Sequence, residues 1–422
     1  MENRNEVVIT GVGVVSPLGS GDEFWDNLIN GVSGVGKVTK FDTTHFRCHL
    51  GAEAKFDPSK FELNGKEVRN LDSFSLYALG ATRDAILDSR LELKGENPRG
   101  GVIIGTGNGG VESIGKDTKK YELNPDSNAA RKINPRLVSR CMPNAATSAV
   151  SIKYGLTGPS YSPISACASG THAVICGVEK IILGKADFII AGGSEAAFTP
   201  NSYGSFANMG AMARGYPENP WEACRPFEAK REGFVMGEGS GIVVLESLEH
   251  AKERGAKIYA KIIGYGTSSD AYHIIAPDPS GKGIIQAMNV ALEEAKLYGV
   301  SIKDVDYINA HGTSTPLNDK TECFAIKQVF GKYAPYIPVS STKSMTGHLL
   351  GAAGSLETVV CAKTLEKGII PPTINHENTA EDCKGLDYVP NVPREKDVEV
   401  VMNNSFGFGG LNAVLVLEKY KG

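Results

Sequence analysis

The sequence has no closely spaced cysteine pair of the kind found in metal centres and redox motifs. Its eight cysteines include no CxxC, and their spacings match no zinc module. We therefore expect no bound metal, and free thiols as in a protein of the reducing cytoplasm. The cysteines lie at positions 48, 141, 167, 176, 224, 323, 361 and 383.

Net positive charge and long apolar runs are also missing. The 422 residues carry a formal net charge of −4, so the molecule has no overall basic field for nucleic acid. No window reaches the roughly 20 apolar residues that a membrane helix needs. The first residues, MENRNEVVITGVGVV, lack the basic start and long apolar stretch of a signal peptide. These absences exclude nucleic acid binding and membrane insertion from the expected functions and predict a cytoplasmic protein.

The sequence does contain an alternation of short β-branched runs with longer helical stretches. Such an alternation predicts an α/β protein whose sheets are covered on both faces. A weak repeat is visible, because AVICGVEKIILGK (173–185) resembles SLETVVCAKTLEKG (355–368). It predicts two similar halves, 1–255 and 256–422, packed face to face in one compact unit. The predicted strands are 7–15, 101–106, 187–193, 241–247, 258–267, 306–312, 336–342, 400–406 and 412–418, and the predicted helices are 68–90, 168–184, 281–298, 318–330 and 351–367.

The segment GTGNGG (105–110) has the glycine pattern of a dinucleotide site directly after a predicted strand. The residues that follow, 111–127, are predicted to be a poor helix, and no strand ending in an acidic residue comes about 20 residues later. We therefore interpret the glycines as a backbone turn beside a pocket.

Cys167 lies in ISACASG (164–170), between a predicted strand and a long apolar helix. A sulfur at the start of a helix is close to the positive end of that helix, which lowers the pKa of a thiol and favours the nucleophilic thiolate. The small neighbours leave room for a carbonyl substrate. Free cysteines are also common as inert core residues, so this segment alone leaves both interpretations open.

Two histidine segments and one glycine-rich segment favour the catalytic interpretation. His311 follows a predicted strand in DYINAHGTSTPLND (306–319), and His348 precedes a small-residue helix in SSTKSMTGHLLGAAGS (340–355). Both are expected at strand ends, where α/β sheets place functional groups, although a single histidine there is often structural. The glycines of NNSFGFGGLNAV (403–414) predict a mobile or strained loop whose N–H groups can point at an oxyanion, with an ordinary hairpin as the alternative.

Several motifs in order resemble those of the 3-oxoacyl-(acyl carrier protein) synthases, the condensing acyltransferases of fatty acid synthesis: ACASG, HGTSTPLND, KSMTGHLLGAAGSLE and NSFGFGG. The resemblance runs from TGVGVVSPLG near the start to the last strand, and SSDAYH (268–273) favours the type II elongating branch. It implies a thiolase-like layered αβαβα fold with internal duplication, and a homodimer. It also implies an acyl carrier protein as partner, whose 4'-phosphopantetheine arm brings the substrate, and no cofactor of the enzyme's own.

The resemblance implies a role for each catalytic residue. Cys167 takes the acyl chain as a thioester, and the N–H groups of Cys167 and Phe408 form the oxyanion hole. His311 and His348 bind the thioester carbonyl of the malonyl substrate while carbon dioxide leaves. Lys343 is expected to pair with Glu357 and order the histidine loop, and Asp319 to order the loop of His311. Thr313 and Thr315 are expected to hold the pantetheine arm. Phe408, between flanking glycines, is expected to be a gate that moves as the acyl chain enters.

Other positions are expected to set the partner and the substrate. Lys66, Arg69, Arg131 and Lys132 match the family's docking positions for the acidic carrier protein, although without the family they are simply a solvated charged face. Asn108 stands where an apolar residue commonly lines the acyl tunnel, so the preferred chain length stays open.

Three rival functions fit parts of the sequence. A ketosynthase of a polyketide or polyene pathway has the same chemistry with other acyl groups, and Asn108 keeps that alternative open. A degradative thiolase would use a second cysteine where the His348 motif stands. A non-catalytic chain-length-setting partner would lack the nucleophile, whereas Cys167, His311 and His348 are all present.

Overall fold

The chain folds into fourteen strands and thirteen α-helices over the residues that the computed structural model describes, which are 5–123, 128–215 and 219–422. The strands are β1 (Val7–Val15), β2 (Gly36–Lys37), β3 (Leu50–Gly51), β4 (Gly100–Gly105), β5 (Ser160–Tyr161), β6 (Phe188–Glu195), β7 (Gly239–Ser247), β8 (Ala260–Ser269), β9 (Tyr307–Asn309), β10 (Val339–Ser340), β11 (Ile369–Ile370), β12 (Arg394–Glu395), β13 (Val400–Gly407) and β14 (Leu411–Lys419). The helices are α1 (Gly21–Ile29), α2 (Gly65–Asn70), α3 (Ser73–Ser89), α4 (Val111–Glu122), α5 (Leu137–Cys141), α6 (Ala145–Tyr154), α7 (Ser169–Ile182), α8 (Pro200–Met209), α9 (Leu248–Glu253), α10 (Lys282–Ala295), α11 (Pro316–Phe330), α12 (Lys343–Thr346) and α13 (Ala353–Lys367).

Ten of the strands form one mixed sheet in the order β10-β9-β13-β14-β8-β1-β7-β6-β4-β5. The first half contributes β1, β7, β6, β4 and β5. In it the pairs β1–β7 and β7–β6 are antiparallel, and the pairs β6–β4 and β4–β5 are parallel. The second half repeats these directions in β8, β14, β13, β9 and β10. The repeated topology confirms the predicted internal duplication, whereas the boundary between residues 255 and 256 stays a prediction.

Helices lie on both outer faces of the folded sheet and between its two halves. In the first half α3 and α6 pack on the outer face, and in the second half α10 and α11 do so. The two helices of the sequence repeat, α7 and α13, contact each other and both halves of the sheet, so they form the central layer. This αβαβα layering confirms the predicted fold and carries the main hydrophobic core.

The same glycine pattern allows the outer helix to approach the sheet in each half. A Cβ at Gly13 of β1 would lie 1.9 Å from the Ala81 carbonyl oxygen of α3, and one at Gly266 of β8 would lie 2.0 Å from that of Ala287 in α10. Because any side chain there would push the helix away, the GxG pairs in the strands reflect close packing.

Most predicted elements are confirmed, and two predictions are wrong in detail. The predicted helix 68–90 is broken before α3, because Asp72 caps that helix by accepting from the Phe74 N–H. The stretch after GTGNGG, predicted to be a poor helix, forms the helix α4 from Val111 to Glu122. Residues 124–127 of that stretch lie outside the described part of the chain. Ion pairs from Lys116 to Glu112 and from Lys120 to Asp117 stabilise its polar surface. In the described ranges, no helix is long and apolar enough to cross a bilayer.

Candidate active site

A cavity of about 340 Å³ opens where the two halves meet. Cys167 of the first half lines it, together with His311, His348 and Phe408 of the second half. The side chains that sequence motifs placed in separate segments are therefore brought to one pocket. Its other lining residues include Phe206, Met209, Phe234, Asp270, Ile275, Thr313, Thr315, Leu317 and Phe406.

Cys167 lies in a short 3₁₀ turn, Ala166–Ala168, that leads directly into α7. Ala166 has φ +50°, a left-handed conformation that costs a residue with a side chain roughly 1–2 kcal/mol. The backbone N–H groups of Phe408 and of Cys167 itself face the sulfur and favour its charged form. Two donors therefore converge beside the Cys167 thiol.

The ionisation of Cys167 differs from the sequence expectation. Burial raises the pKa of the thiol to about 12, and it outweighs the opposing effects of the Lys343 charge and the two N–H groups. The predicted lowering of the pKa by the helix end is wrong for this state, because the helix end does not compensate for loss of water. The resting cysteine is therefore a neutral thiol.

His311 and His348 have rings 5.4 Å apart between centroids and nearly perpendicular, at 85°. Burial first, and then the nearby charge of Lys343, hold the pKa of both imidazoles well below the usual range. Both rings are therefore neutral, and each has one N–H to donate. Within the described residues, neither Nδ1 atom has a hydrogen-bond partner.

The backbone of His348 is held by the first half of the chain. Its N–H donates to the Val235 carbonyl at 2.7 Å, and its carbonyl accepts from the Gly237 N–H at 2.8 Å. His348 follows α12 rather than a strand, so the expectation that both histidines lie at strand ends is correct only for His311.

Lys343 and Glu357 form a buried ion pair between α12 and α13, as predicted. Burial raises the pKa of Glu357 to about 7, although the Lys343 ammonium opposes that shift. The pair lies beside the two histidines, whose pKa values respond to Lys343. The idea that it orders their loop stays a prediction.

Glu322, which the sequence reasoning missed, holds the backbone of the His311 loop. Its carboxylate accepts from the N–H groups of His311 at 2.8 Å and Gly312 at 2.7 Å. Asp319 contacts the same loop through the Ser314 N–H, accepts from the Phe227 N–H at 2.8 Å and lies 3.5 Å from the Arg231 guanidinium. A sequence signal existed, because the two carboxylates are three residues apart and therefore lie on one face of the helix.

Glu195 is a second missed carboxylate, at the end of β6. It accepts from the N–H groups of Gly107 at 2.7 Å, Asn108 at 3.2 Å and Gly351 at 3.0 Å. The N–H groups of the GTGNGG turn, which a dinucleotide phosphate would need, are thus occupied by a side chain of the same chain. The Asn108 side chain is not among the described residues that line the cavity, so its role in substrate binding stays a prediction.

Thr313 and Thr315 both line the cavity, and their hydroxyl oxygens are 2.9 Å apart. Between them Ser314 has φ +69° and accepts from the Arg225 N–H at 3.0 Å, which holds the loop in place. Two hydroxyl-bearing residues therefore line the same cavity as Cys167.

The glycine-rich segment is both a hairpin and a wall of the site. β13 and β14 pair antiparallel, and Phe408–Gly410 form the tip between them. Phe408 is half-buried, with its ring centroid 6.2 Å from that of Phe206. The hairpin interpretation is therefore confirmed, and the interpretation as a mobile or strained oxyanion loop stays a prediction.

The four predicted docking residues are exposed and lie on two neighbouring segments. Lys66 and Arg69 belong to α2, and Arg131 and Lys132 to the turn 129–132. Arg136, which follows that turn, donates to the Asn70 side chain at the end of α2 at 2.9 Å.

The fold and the site together define a thiolase-like α/β enzyme of the acyltransferase class. The N-terminal domain of beta-ketoacyl synthases matches residues 4–251, and the C-terminal domain matches residues 259–377. The chain therefore belongs to the beta-ketoacyl synthase family.

Curated and solved relatives match over nearly the whole chain. The 3-oxoacyl-(acyl-carrier-protein) synthase 2 of Coxiella burnetii is 47% identical over 99% of both chains, and that of Staphylococcus aureus strain COL is 43% identical over 100% of both. One solved relative, a ketosynthase in complex with its type II polyketide acyl carrier protein, has a TM-score of 0.91 at 35% identity over 99% of this chain and 100% of its own. The ishigamide ketosynthase/chain length factor has a TM-score of 0.91 at 37% identity over the same shares.

Proposed function

We propose that the protein elongates acyl chains by condensing malonyl-acyl carrier protein with an acyl group held on Cys167. The observation that carries this proposal is the single cavity in which Cys167, two converging N–H groups and two neutral histidines meet. In this proposal residues 1–255 supply the nucleophile and residues 256–422 supply both histidines.

Acyl loading begins with the neutral thiol of Cys167. Its sulfur attacks the carbonyl of an acyl-carrier thioester, the carrier thiolate leaves, and the proton of the cysteine ends on the carrier thiol. The N–H groups of Cys167 and Phe408 stabilise the oxyanion of the tetrahedral intermediate, and such a positioned donor is typically worth about 3–4 kcal/mol.

Condensation uses the other side of the cavity. His311 and His348 each donate an N–H to the thioester oxygen of the malonyl group, so the carbon–carbon bond to the carboxylate breaks and carbon dioxide leaves an enolate. The enolate carbon attacks the acyl-cysteine carbonyl and expels the Cys167 thiolate. The product is a 3-oxoacyl thioester two carbons longer than the loaded chain. A neutral imidazole still has one N–H to donate to this oxygen.

The substrate arm and the gate follow from the residues around the entrance. The hydroxyls of Thr313 and Thr315 hold the 4'-phosphopantetheine of the carrier, so the enzyme needs no cofactor of its own. Phe408 moves aside as the acyl chain enters, and Gly409, with φ +77°, gives the backbone freedom for that movement. Asn108 keeps its proposed influence on the preferred acyl chain length only through its place in the GTGNGG turn, because it is not among the described residues that line this cavity.

Carrier docking and assembly complete the proposal. The exposed cations Lys66, Arg69, Arg131 and Lys132 steer an acidic carrier protein. A homodimer is supported by β5, an edge strand with an exposed Tyr161, to which a second copy can add. A cytoplasmic reaction agrees with the eight cysteines, all of which are free.

A polyketide or polyene ketosynthase is the second candidate, because one well-matched solved relative is a ketosynthase bound to its type II polyketide acyl carrier protein and another is the ishigamide ketosynthase/chain length factor. Both candidates share the chemistry and differ in the acyl group. A rate profile over acyl-carrier substrates of different length and oxidation distinguishes them.

The Cys167→Ala variant tests the proposed chemistry. We expect the unmodified protein to release carbon dioxide from malonyl-carrier protein and to form the 3-oxoacyl product, and the variant to form none. Intact-protein mass spectrometry should show the added acyl group only on the unmodified chain. Full condensation by Cys167→Ala would overturn the proposal.

A further inference from the structure

Three side-chain hydrogen bonds brace the turn that carries Cys167. The Ser165 N–H donates to Ser169 Oγ at 2.9 Å, and the Ser169 hydroxyl donates to the Ala166 carbonyl at 2.7 Å. The third joins Ser165 Oγ to His172 Nδ1 at 2.8 Å. His172 lies one turn into α7 and is the imidazole bonded to this segment.

The tautomer of His172 follows from its two neighbours. Its Nδ1 is also 3.2 Å from the Ala168 carbonyl oxygen, which can only accept. A proton on Nδ1 satisfies both oxygens, whereas a bare Nδ1 would face the carbonyl lone pairs. The His172 Nδ1–H therefore donates to Ser165 and to the first turn of α7.

The second half of the chain provides an internal comparison. Leu350 has φ +49° before α13, just as Ala166 has φ +50° before α7. In that copy Gly351 stands where Cys167 stands, and Leu356 lies four residues into the helix, as His172 does. The second half thus forms the same strained turn without a histidine. The histidine is present only in the first of these two turns, which also carries the nucleophile.

The same segment also contacts the glycine-rich wall. A Cβ at Gly407 would lie 2.6 Å from the Ser165 carbonyl oxygen and 3.3 Å from the Cys167 nitrogen. Moving Ser165 would therefore change the distance between the thiol and the N–H of Phe408. The turn that carries Cys167 and the segment that carries the Phe408 N–H are therefore packed against each other.

We propose that His172 is a positioning residue that acts through Ser165 to hold Cys167 against the two N–H donors. This inference rests on the proposed function, because it assigns His172 to the acyl-loading step. It leaves the decarboxylation step, which uses His311 and His348, unaffected.

A matched pair of variants tests the proposal. In His172→Asn the amide N–H2 comes close to the position of Nδ1, whereas in His172→Gln it reaches the position of Nε2 and leaves Ser165 without a donor. We expect His172→Gln to load acyl groups about tenfold more slowly, the scale of a misplaced reacting group. We expect His172→Asn to load at nearly the rate of the unmodified protein. Malonyl decarboxylation, followed as carbon dioxide release, should be the same in all three.

Ser165→Ala is the second variant, since it removes the acceptor and leaves the imidazole. It should slow loading as His172→Gln does, and the double variant should be no slower than either single one, because the two residues act as one unit. Additive losses, equal losses in both half-reactions, or equal loading by His172→Gln and the unmodified protein would overturn the inference. If the unmodified protein showed neither half-reaction, the proposed function would fail and the inference with it.

Discussion

Burial shifts the pKa of each reactive side chain away from its ordinary value. It keeps Cys167 a thiol and His311 and His348 neutral, while Glu357 has a pKa raised to about 7. The sequence identifies these residues, but it does not contain the depth at which they lie. That is why the candidate nucleophile could be predicted and its pKa could not.

The reactivity of Cys167 towards iodoacetamide should report its raised pKa. Only the thiolate reacts, and a pKa near 12 leaves the thiolate fraction rising about tenfold per pH unit from pH 7 to 10. An ordinary cysteine, with a pKa of about 8.5, would level off within that range. Peptide mass spectrometry resolves Cys167 from the other cysteines, and an added short cysteine peptide serves as the reference. A plateau for Cys167 below pH 9 would contradict the neutral resting thiol.

At the scale of elements, apolar runs predicted most strands and the central helices, because burial on both sides leaves a continuous signal in the sequence. α4 escaped prediction because its buried residues, Ser113 and Asp117, are polar and leave no apolar stripe in the sequence. β5 is shorter than the strand predicted before Cys167, because residues 162–165 turn away to form the strained approach to the thiol. Local sequence patterns thus predict the buried strands and helices. They fail at the turn that positions Cys167.

The hairpin tip offers a test at this scale, because Gly409 has φ +77° and open space at the position that a Cβ would take. Gly409→Ala therefore changes only backbone freedom, and it should lower the free energy of unfolding by about 1 kcal/mol. Gly255→Ala is the matched control, with φ +64° and equally open surroundings far along the chain. Urea titration should show similar losses of stability for both.

Acyl loading should separate these two variants. Gly409→Ala should load several-fold more slowly, because the stiffer tip holds Phe408 in place, whereas Gly255→Ala should load normally. Equal loading by both would show that the tip does not need its left-handed glycine for gating.

For the whole molecule, the site exists only because two similar halves meet. Glu195 of the first half bonds Gly351 of the second, and Val235 and Gly237 of the first half hold the backbone of His348. The sequence repeat predicted the duplication, and the family resemblance predicted which residues would meet. Neither could supply the strand order or these contacts between halves, since no local pattern encodes pairings between segments so far apart along the chain.

The docking surface is a property of this whole assembly, and charge reversal tests it. Lys66→Glu with Arg69→Glu should raise the KM for malonyl-carrier protein about tenfold at low salt, because both changes repel an acidic partner from the route to Cys167. The effect should shrink as salt rises above about 0.15 M, where exposed charges are screened beyond about 8 Å.

Two controls make the result specific to the carrier protein. Lys296→Glu also reverses a positive charge, but at an exposed position in the second half, outside the proposed docking surface. It should leave the KM unchanged. A malonyl-pantetheine substrate without the protein should react equally with all variants, because Thr313, Thr315 and the histidines are untouched. A KM increase that persists with malonyl-pantetheine would place the defect in the cavity, and an unchanged KM for the carrier substrate would move the docking site away from α2.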